Sequence, residues 1–218
     1  MVTKRLVPLI PHRVALSGIV ADAETSRRLA GITAEITSMP AAFRSFLAKR
    51  AIVYGALWTA LAERPDRTST AIDGTFHFVD LPDGAYTVTF SAPTSVGRYG
   101  SPQVDFTVAR DAEGKLVTTM TIVCMPPSGA RGLVSGPAPG SAPTAPAVSI
   151  TGARVRVRGS GELAYSDVGG RFYLPGLETG TLTLEITASN YEPVTTPVIV
   201  VGGTITDVGT VTLVPTTL

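Results

Sequence analysis

The stretch Thr70-Ala-Ile-Asp73-Gly74-Thr-Phe76-His-Phe78-Val-Asp-Leu81-Pro-Asp-Gly84-Ala-Tyr86-Thr-Val88 occurs a second time, altered but in step, as Ser166-Asp167-Val-Gly-Gly170-Arg-Phe172-Tyr-Leu174-Pro-Gly-Leu177-Glu-Thr-Gly180-Thr-Leu182-Thr-Leu184. From the phenylalanine onward the spacing is the same in both copies, so the chain carries an internal repeat. Phe76 and Phe78, or Phe172 and Leu174, alternate onto one buried face, the period-two signature of a strand. Asp-Gly before them supplies the positive φ of a tight turn. Leu81 or Leu177 then caps a core before Gly84 or Gly180 turns the chain into Tyr86-Val88-Phe90 or Leu182-Leu184-Ile186. The pattern predicts a β-meander.

Working outward, Leu16-Ser-Gly18-Ile-Val20 matches Ala130-Arg-Gly132-Leu-Val134, and Ala30 to Ile36 matches Thr151 to Val157, which gives each copy two earlier strands. Val104 to Val108 and Lys115 to Val123 close the first copy; Pro197 to Val201 and Ile205 to Leu213 close the second. Many short strands punctuated by Gly and Pro argue for an all-β fold of two tandem Greek-key β-sandwich modules. Residues 1–125 and 126–218 are the two modules, joined at Met125-Pro126-Pro127-Ser128-Gly129.

The order Gly-x-Val, Gly-x-x-Val, Asp-(x)-Gly-x-Phe and Leu-Pro-x-Gly-x-Tyr resembles the carboxypeptidase regulatory-like domain, a transthyretin-like Greek-key sandwich. The first copy fits through Asp73, Gly74, Phe76, Phe78, Leu81, Pro82, Gly84 and Tyr86. The second departs from it: Val168 and Gly169 separate Asp167 from Gly170, Glu178 stands for the proline and Leu182 for the tyrosine. The resemblance implies a fold and carries no catalytic residue, so it leaves function open.

Two insertions break the symmetry. Residues 39–66, about 28 in all, lie between the second and third strands of module one, where module two has only the turn Gly159 to Gly161. Ser38 with Pro40 just inside starts a helix and Arg64-Pro65 stops it. Phe43, Leu47, Ala51, Tyr54, Trp58 and Leu61 recur at helical intervals, and Phe46, Val53 and Leu57 widen the stripe. One continuous helix would run on the order of 35 Å. Gly55 leaves room for a kink or two shorter elements, and Ala51 to Ala62 also fits a strand. The apolar face either completes the module's own core or docks a partner through Phe43, Phe46, Leu47, Tyr54, Leu57, Trp58 and Leu61. The second insertion, residues 135–147, is rich in Pro, Ala and Gly; it is a loop inside module two or, if Arg131 to Val134 is not a strand, the interdomain linker.

Composition excludes several classes. Hydrophobic residues form 44% of the 218, ample for packed cores, and a formal net charge of +1 supplies no field to gather nucleic acid. Cys124 is the only cysteine, so no disulfide forms within the chain, and it is expected to be a small buried hydrophobe. Met1 to Pro11 is interrupted by Pro8 and Pro11, unlike a secretory signal, and no segment has the roughly 20 uncharged apolar residues of a membrane span. The expected location is the cytoplasm or a cell-assembled particle.

No motif assembles a reactive centre. His12 and His77 are the only histidines, and His77 alternates with core phenylalanines, which turns it outward. Asp73, Asp80 and Asp83 surround turns without the spacing of a calcium loop. Neither a P-loop nor a dinucleotide or zinc motif is present, and no cofactor is expected. Arg154, Arg156 and Arg158 alternate with Val155 and Val157, which puts three guanidinium groups on one face for an acidic partner or for water. The sequence therefore points to a non-enzymatic structural or adaptor protein with a protein partner or a second copy of itself. A phage-tail-like contractile injection particle is the setting suggested by architecture. The alternative is carbohydrate binding through Trp58, Tyr99, Tyr165, Tyr173 and Tyr191.

Overall fold

The computed structural model describes residues 12–92, 98–117, 120–142 and 144–216; the amino-terminal segment read above for an export signal lies outside them. The chain divides into two compact units. The first comprises residues up to Ala21, Arg27–Phe90 and Gln103–Val123, and the second Asp22–Ser26, Ser91–Pro102 and Cys124 onward.

Unit one is built on β1 (Val14–Asp22), β2 (Thr33–Ser38), α1 (Ala41–Tyr54), β3 (Arg67–Ser69), β4 (Thr75–Val79), β5 (Gly84–Ser91), β6 (Gln103–Arg110), β7 (Leu116–Val117) and β8 (Met120–Met125). Its sheets run β4-β1-β8 and β3-β2-β5-β6-β7. Unit two is built on β9 (Gly129–Pro137), β10 (Ala147–Ser149), β11 (Arg154–Val157), β12 (Leu163–Tyr165), β13 (Arg171–Pro175), β14 (Gly180–Thr187), β15 (Val194–Val200) and β16 (Ile205–Thr212). Its sheets run β10-β9-β13, with β16 also on β9, and β12-β11-β14-β15.

The repeated sequence thus produces a repeated connectivity, but not the meander expected. β4 and β5 lie in different sheets, as do β13 and β14. The reason is Leu81 and Leu177, which are fully buried where the chain crosses from one sheet to the other. A hairpin would hold both strands in one sheet and leave that leucine without a core to fill. Residues 135–147 begin within β9 and return as β10, with Ala147 opposite Pro137, so they close a hairpin inside unit two.

In unit one Phe76 packs on Phe90, Phe78 and Phe106 at centroid separations of 5.1, 6.3 and 6.3 Å, a ring cluster that ties the two sheets together. Unit two fills the same space with Phe172, Leu174, Leu177, Leu184 and Ile186. Each phenylalanine lies across a glycine of the neighbouring strand, Phe76 opposite Gly18 and Phe172 opposite Gly132. A Cβ on Gly18 would lie 2.6 Å from the Phe76 ring, and one on Gly132 would lie 2.8 Å from Phe172. The repeated Gly-x-Val is therefore a slot for an aromatic ring.

A second shared device is a buried hydroxyl just before the turn. Thr70 Oγ1 accepts from the Ile32 amide at 2.9 Å and donates to the Leu29 carbonyl at 2.7 Å. Ser166 Oγ repeats this with the Ala153 amide at 2.8 Å and the Ile150 carbonyl at 2.6 Å. Each hydroxyl satisfies two backbone groups that burial would otherwise leave unpaired.

Tyr86 is 1% exposed and its hydroxyl donates to the Pro82 carbonyl at 2.7 Å. Burial, with Asp83 nearby, pushes its phenol from 10.0 up to about 12 against the opposing pull of Arg110. Because the folded state resists ionisation, this stability is intact below pH 10.0 and is lost as pH rises towards about 12. Tyr86→Phe is expected to flatten that alkaline decline, read as the dependence of the urea midpoint on pH. A wild-type decline unchanged by the substitution would assign the effect elsewhere.

Cys124 is exposed rather than buried. Strand parity decides this: in β8 Val123 and Met125 face the core, which turns Cys124 outward with Ile122.

Candidate functional site

The first insertion is helical, but shorter than one continuous rod. α1 spans 14 residues, about 21 Å at the usual rise, and Gly55 at φ 56 ends it before a 3-10 segment over Gly55–Ala60. Pro40 precedes the first helical residue and sits over Gly84, whose missing side chain makes room: a Cβ there would lie 2.5 Å from Pro40 Cγ.

Phe43 and Leu47, one turn apart, are 3% and 8% exposed, and Phe43 meets Tyr86 edge-on at 6.0 Å. These two of the seven residues expected to dock a partner instead anchor α1 on its own unit. Phe46 stacks on Phe43 and carries the Arg50 guanidinium at 5.3 Å, yet remains 40% exposed. Beyond Ala51 the apolar surface leaves the sheet: Ile52, Val53 and Leu57 are 82%, 81% and 67% exposed, with Tyr54 at 40%. Trp58 and Leu61 are half-buried. Ile52 was missed in the sequence, because it lies off the helical stripe that Phe43 and Leu47 define.

Trp58 is no open platform for a sugar. Arg64 lies over its ring at 5.2 Å, held there by Glu35 at 2.7 Å and Asp66 at 3.1 Å. Tyr191 belongs to the core of unit two and donates to the Pro137 carbonyl at 2.9 Å. Tyr99 donates to Asp22 at 3.0 Å. Burial pushes the Asp22 carboxyl up, but hydrogen bonds from Thr25, Tyr99 and Glu24 outweigh it and hold the group below its ordinary range. Tyr165 and Tyr173 are exposed.

Arg154 and Arg156 point outward from β11 while Val155 and Val157 are buried; Arg158 follows in the turn, also exposed. Glu185, opposite Arg156 on β14, takes its guanidinium at 2.7 Å, so the acidic partner of Arg156 is the protein's own.

Of the turn aspartates, Asp73 accepts from the Thr75 hydroxyl and amide, Asp83 pairs with Arg110, and Asp80 receives the Arg13 amide and His12 Nδ1. Those bonds hold the Asp80 carboxyl below its usual range. No group of three or more His, Cys, Asp or Glu suited to a metal occurs among the described residues. His77 is exposed, as its parity required. His12 and Asp80 line a cleft of about 360 Å3 with Phe43, Arg50 and Glu63, but its lining contains no serine, threonine or cysteine. A histidine–carboxylate pair without a nucleophile does not form a triad.

These features define an all-β protein of two units with an apolar helical appendage on the first. No family model matches the chain, and no curated protein does. Among solved structures it is similar to the shaft pilin SpaA from Lactobacillus rhamnosus GG, at 14% identity and a TM-score of 0.40 over 95% of this chain and 99% of that one. It is also similar to a minor pilin of Streptococcus agalactiae, at 14% identity and a TM-score of 0.32 over 93% and 97% of the two chains. A third is the Bacillus anthracis TIE protein, at 16% identity and a TM-score of 0.40 over 92% of this chain and 34% of that one. Likenesses this distant assign no function. No helix among the described residues is long and apolar enough to cross a membrane.

Proposed function

We propose that this protein is a non-enzymatic structural or adaptor component that docks into a larger protein assembly. The observation that carries the proposal is the far end of α1 and the 3-10 segment after it, where Ile52, Val53 and Leu57 stand 82%, 81% and 67% exposed after Phe43 and Leu47 have already satisfied the sheet. Apolar side chains left in water on two successive short elements mark an interaction surface. Each unit is proposed to be a Greek-key sandwich akin to the carboxypeptidase regulatory-like domain; the connectivity shared by the two units and the order of the glycine and aromatic motifs support this. The free, outward Cys124 thiol suits a reducing interior or a particle assembled there. A phage-tail-like contractile injection particle is the narrower setting, and its only support is the tandem architecture.

The test is gradient sedimentation of native lysate. The wild-type chain is expected in fractions far heavier than a monomer, and the triple variant Ile52→Asp, Val53→Asp, Leu57→Asp is expected to shift to the monomer position with an unchanged unfolding midpoint. These side chains leave no core when replaced, so folding should persist. Wild-type chain running as a monomer, or a variant that stays in the heavy fractions, would remove the reading.

A further inference from the structure

The outer face of the β13-β9-β16 sheet carries an open groove of about 950 Å3. Strand register sets its floor in rows: Tyr173 lies opposite Arg131 and Arg131 opposite Asp207, while Arg171 lies opposite Leu133 and Leu133 opposite Thr210. Tyr165 of β12 and Asp167 complete the lining. Tyr165 is 61% exposed and Tyr173 is 39% exposed.

The groove is not a by-product of the sandwich. In the phase fixed by Gly18 with Gly132 and Phe76 with Phe172, unit one has Ser17, His77, Thr75 and Ser69 where unit two has Arg131, Tyr173, Arg171 and Tyr165. The inward positions stay apolar or glycine in both copies, with Gly18 and Gly132, Val20 and Val134, and Phe76 and Phe172 identical. The outward ones have been rebuilt with two phenols and two guanidinium groups.

The carboxylates of the groove are already engaged. Asp167 Oδ1 accepts the Gly169 and Arg171 amides at 2.9 and 2.8 Å. Asp207 Oδ1 accepts the Gly209 amide at 2.9 Å, and its Oδ2 faces Arg131 Nε at 3.4 Å. Arg171 forms no ion pair among the described residues. β9, the central strand of this floor, offers a peptide no free edge, because β13 bonds it on one side and β16 on the other. Flat, half-wet phenol rings offer an apolar face with a polar tip, which suits a sugar ring, and a free guanidinium matches a carboxylate in two-point geometry.

We infer that this groove binds an acidic polysaccharide segment. Tyr165 and Tyr173 carry pyranose faces, Arg171 holds a uronate carboxylate, and the Arg131–Asp207 pair exchanges hydrogen bonds with ring hydroxyls. The site is independent of docking through α1 and stands if that reading fails.

Calorimetric titration of the full chain with an oligogalacturonate hexamer, with maltohexaose and with a polyglutamate peptide tests it. The uronate is expected to bind about tenfold or more tightly than the neutral sugar, a gap of about 1.4 kcal/mol. Tyr165→Ala with Tyr173→Ala should weaken uronate binding about tenfold, and Arg171→Gln should erase the preference over maltohexaose, with unfolding midpoints unchanged. No heat with oligogalacturonate, equal affinity for both sugars, or indifference to these substitutions overturns the inference. Polyglutamate bound more tightly than uronate, through Arg171 and without the tyrosines, would overturn it too and assign the groove to an acidic protein.

Discussion

Gly18→Ala is expected to destabilise unit one by about 3 kcal/mol, and Gly132→Ala to do the same to unit two, the upper end of what a single inserted methyl costs in a packed core. The new Cβ at residue 18 would sit 2.4 Å from the Thr121 carbonyl oxygen and 2.6 Å from the Phe76 ring. At residue 132 it would sit 2.8 Å from both the Gly209 carbonyl oxygen and the Phe172 ring. A ring alone could tilt away; a strand carbonyl moves only if its ladder does, so both contacts fall on backbone that cannot yield cheaply. Gly161→Ala is the matched control, because a Cβ there meets nothing within 4 Å. That variant is expected to stay within about 0.5 kcal/mol of wild type in urea unfolding. If Gly18→Ala and Gly161→Ala behave alike, the aromatic slot does not hold the sheets together.

Loss of the buried hydroxyls is expected to have the next largest effect. Thr70→Val and Ser166→Ala each strand one amide and one carbonyl, Ile32 and Leu29 in the first unit and Ala153 and Ile150 in the second. At the lower end of about 1–3 kcal/mol per unsatisfied buried group, since the freed groups can relax, each substitution should cost about 2 kcal/mol. Thr70→Ser and Ser166→Thr keep the hydroxyl and should lose less than half as much. The urea midpoints of the four variants, measured with amide exchange at residues 32 and 153, check both the size and the cause. Protection at those amides is expected to fall only when the hydroxyl is removed. Equal losses for Val and Ser at residue 70 would show that shape, not hydrogen bonding, matters there.

The two hydroxyls also show where sequence reading stops. Thr70 and Ser166 occupy the first position of the quoted repeat, yet a threonine or serine before a turn is commonplace and nothing marks it as buried. Their role exists only because another connection folds back over each of them, β1–β2 over Thr70 and β10–β11 over Ser166. The meander failed for a related reason: alternation tells which side of a strand is buried, and does not tell in which sheet the next strand lies. α1 was legible as a helix from its Phe43 and Leu47 spacing and from Gly55, but which of its apolar residues stay exposed was not. Sequence periodicity left the stripe open between the module's own core and a partner; Tyr86 takes its start, and Ile52, Val53 and Leu57 stay outside.

What the residues alone determined was local and periodic: a duplicated pattern of strands, turns at glycines, a helical insertion, and the outward direction of His77 and the Arg154 row. Those follow from backbone geometry, which each short segment carries with it. Tertiary structure alone decided which strands share a sheet. It also set Glu35 on the Arg64 that covers Trp58 and gathered Arg131, Tyr173 and Asp207 along one groove, because these depend on residues far apart in the chain meeting across packed sheets.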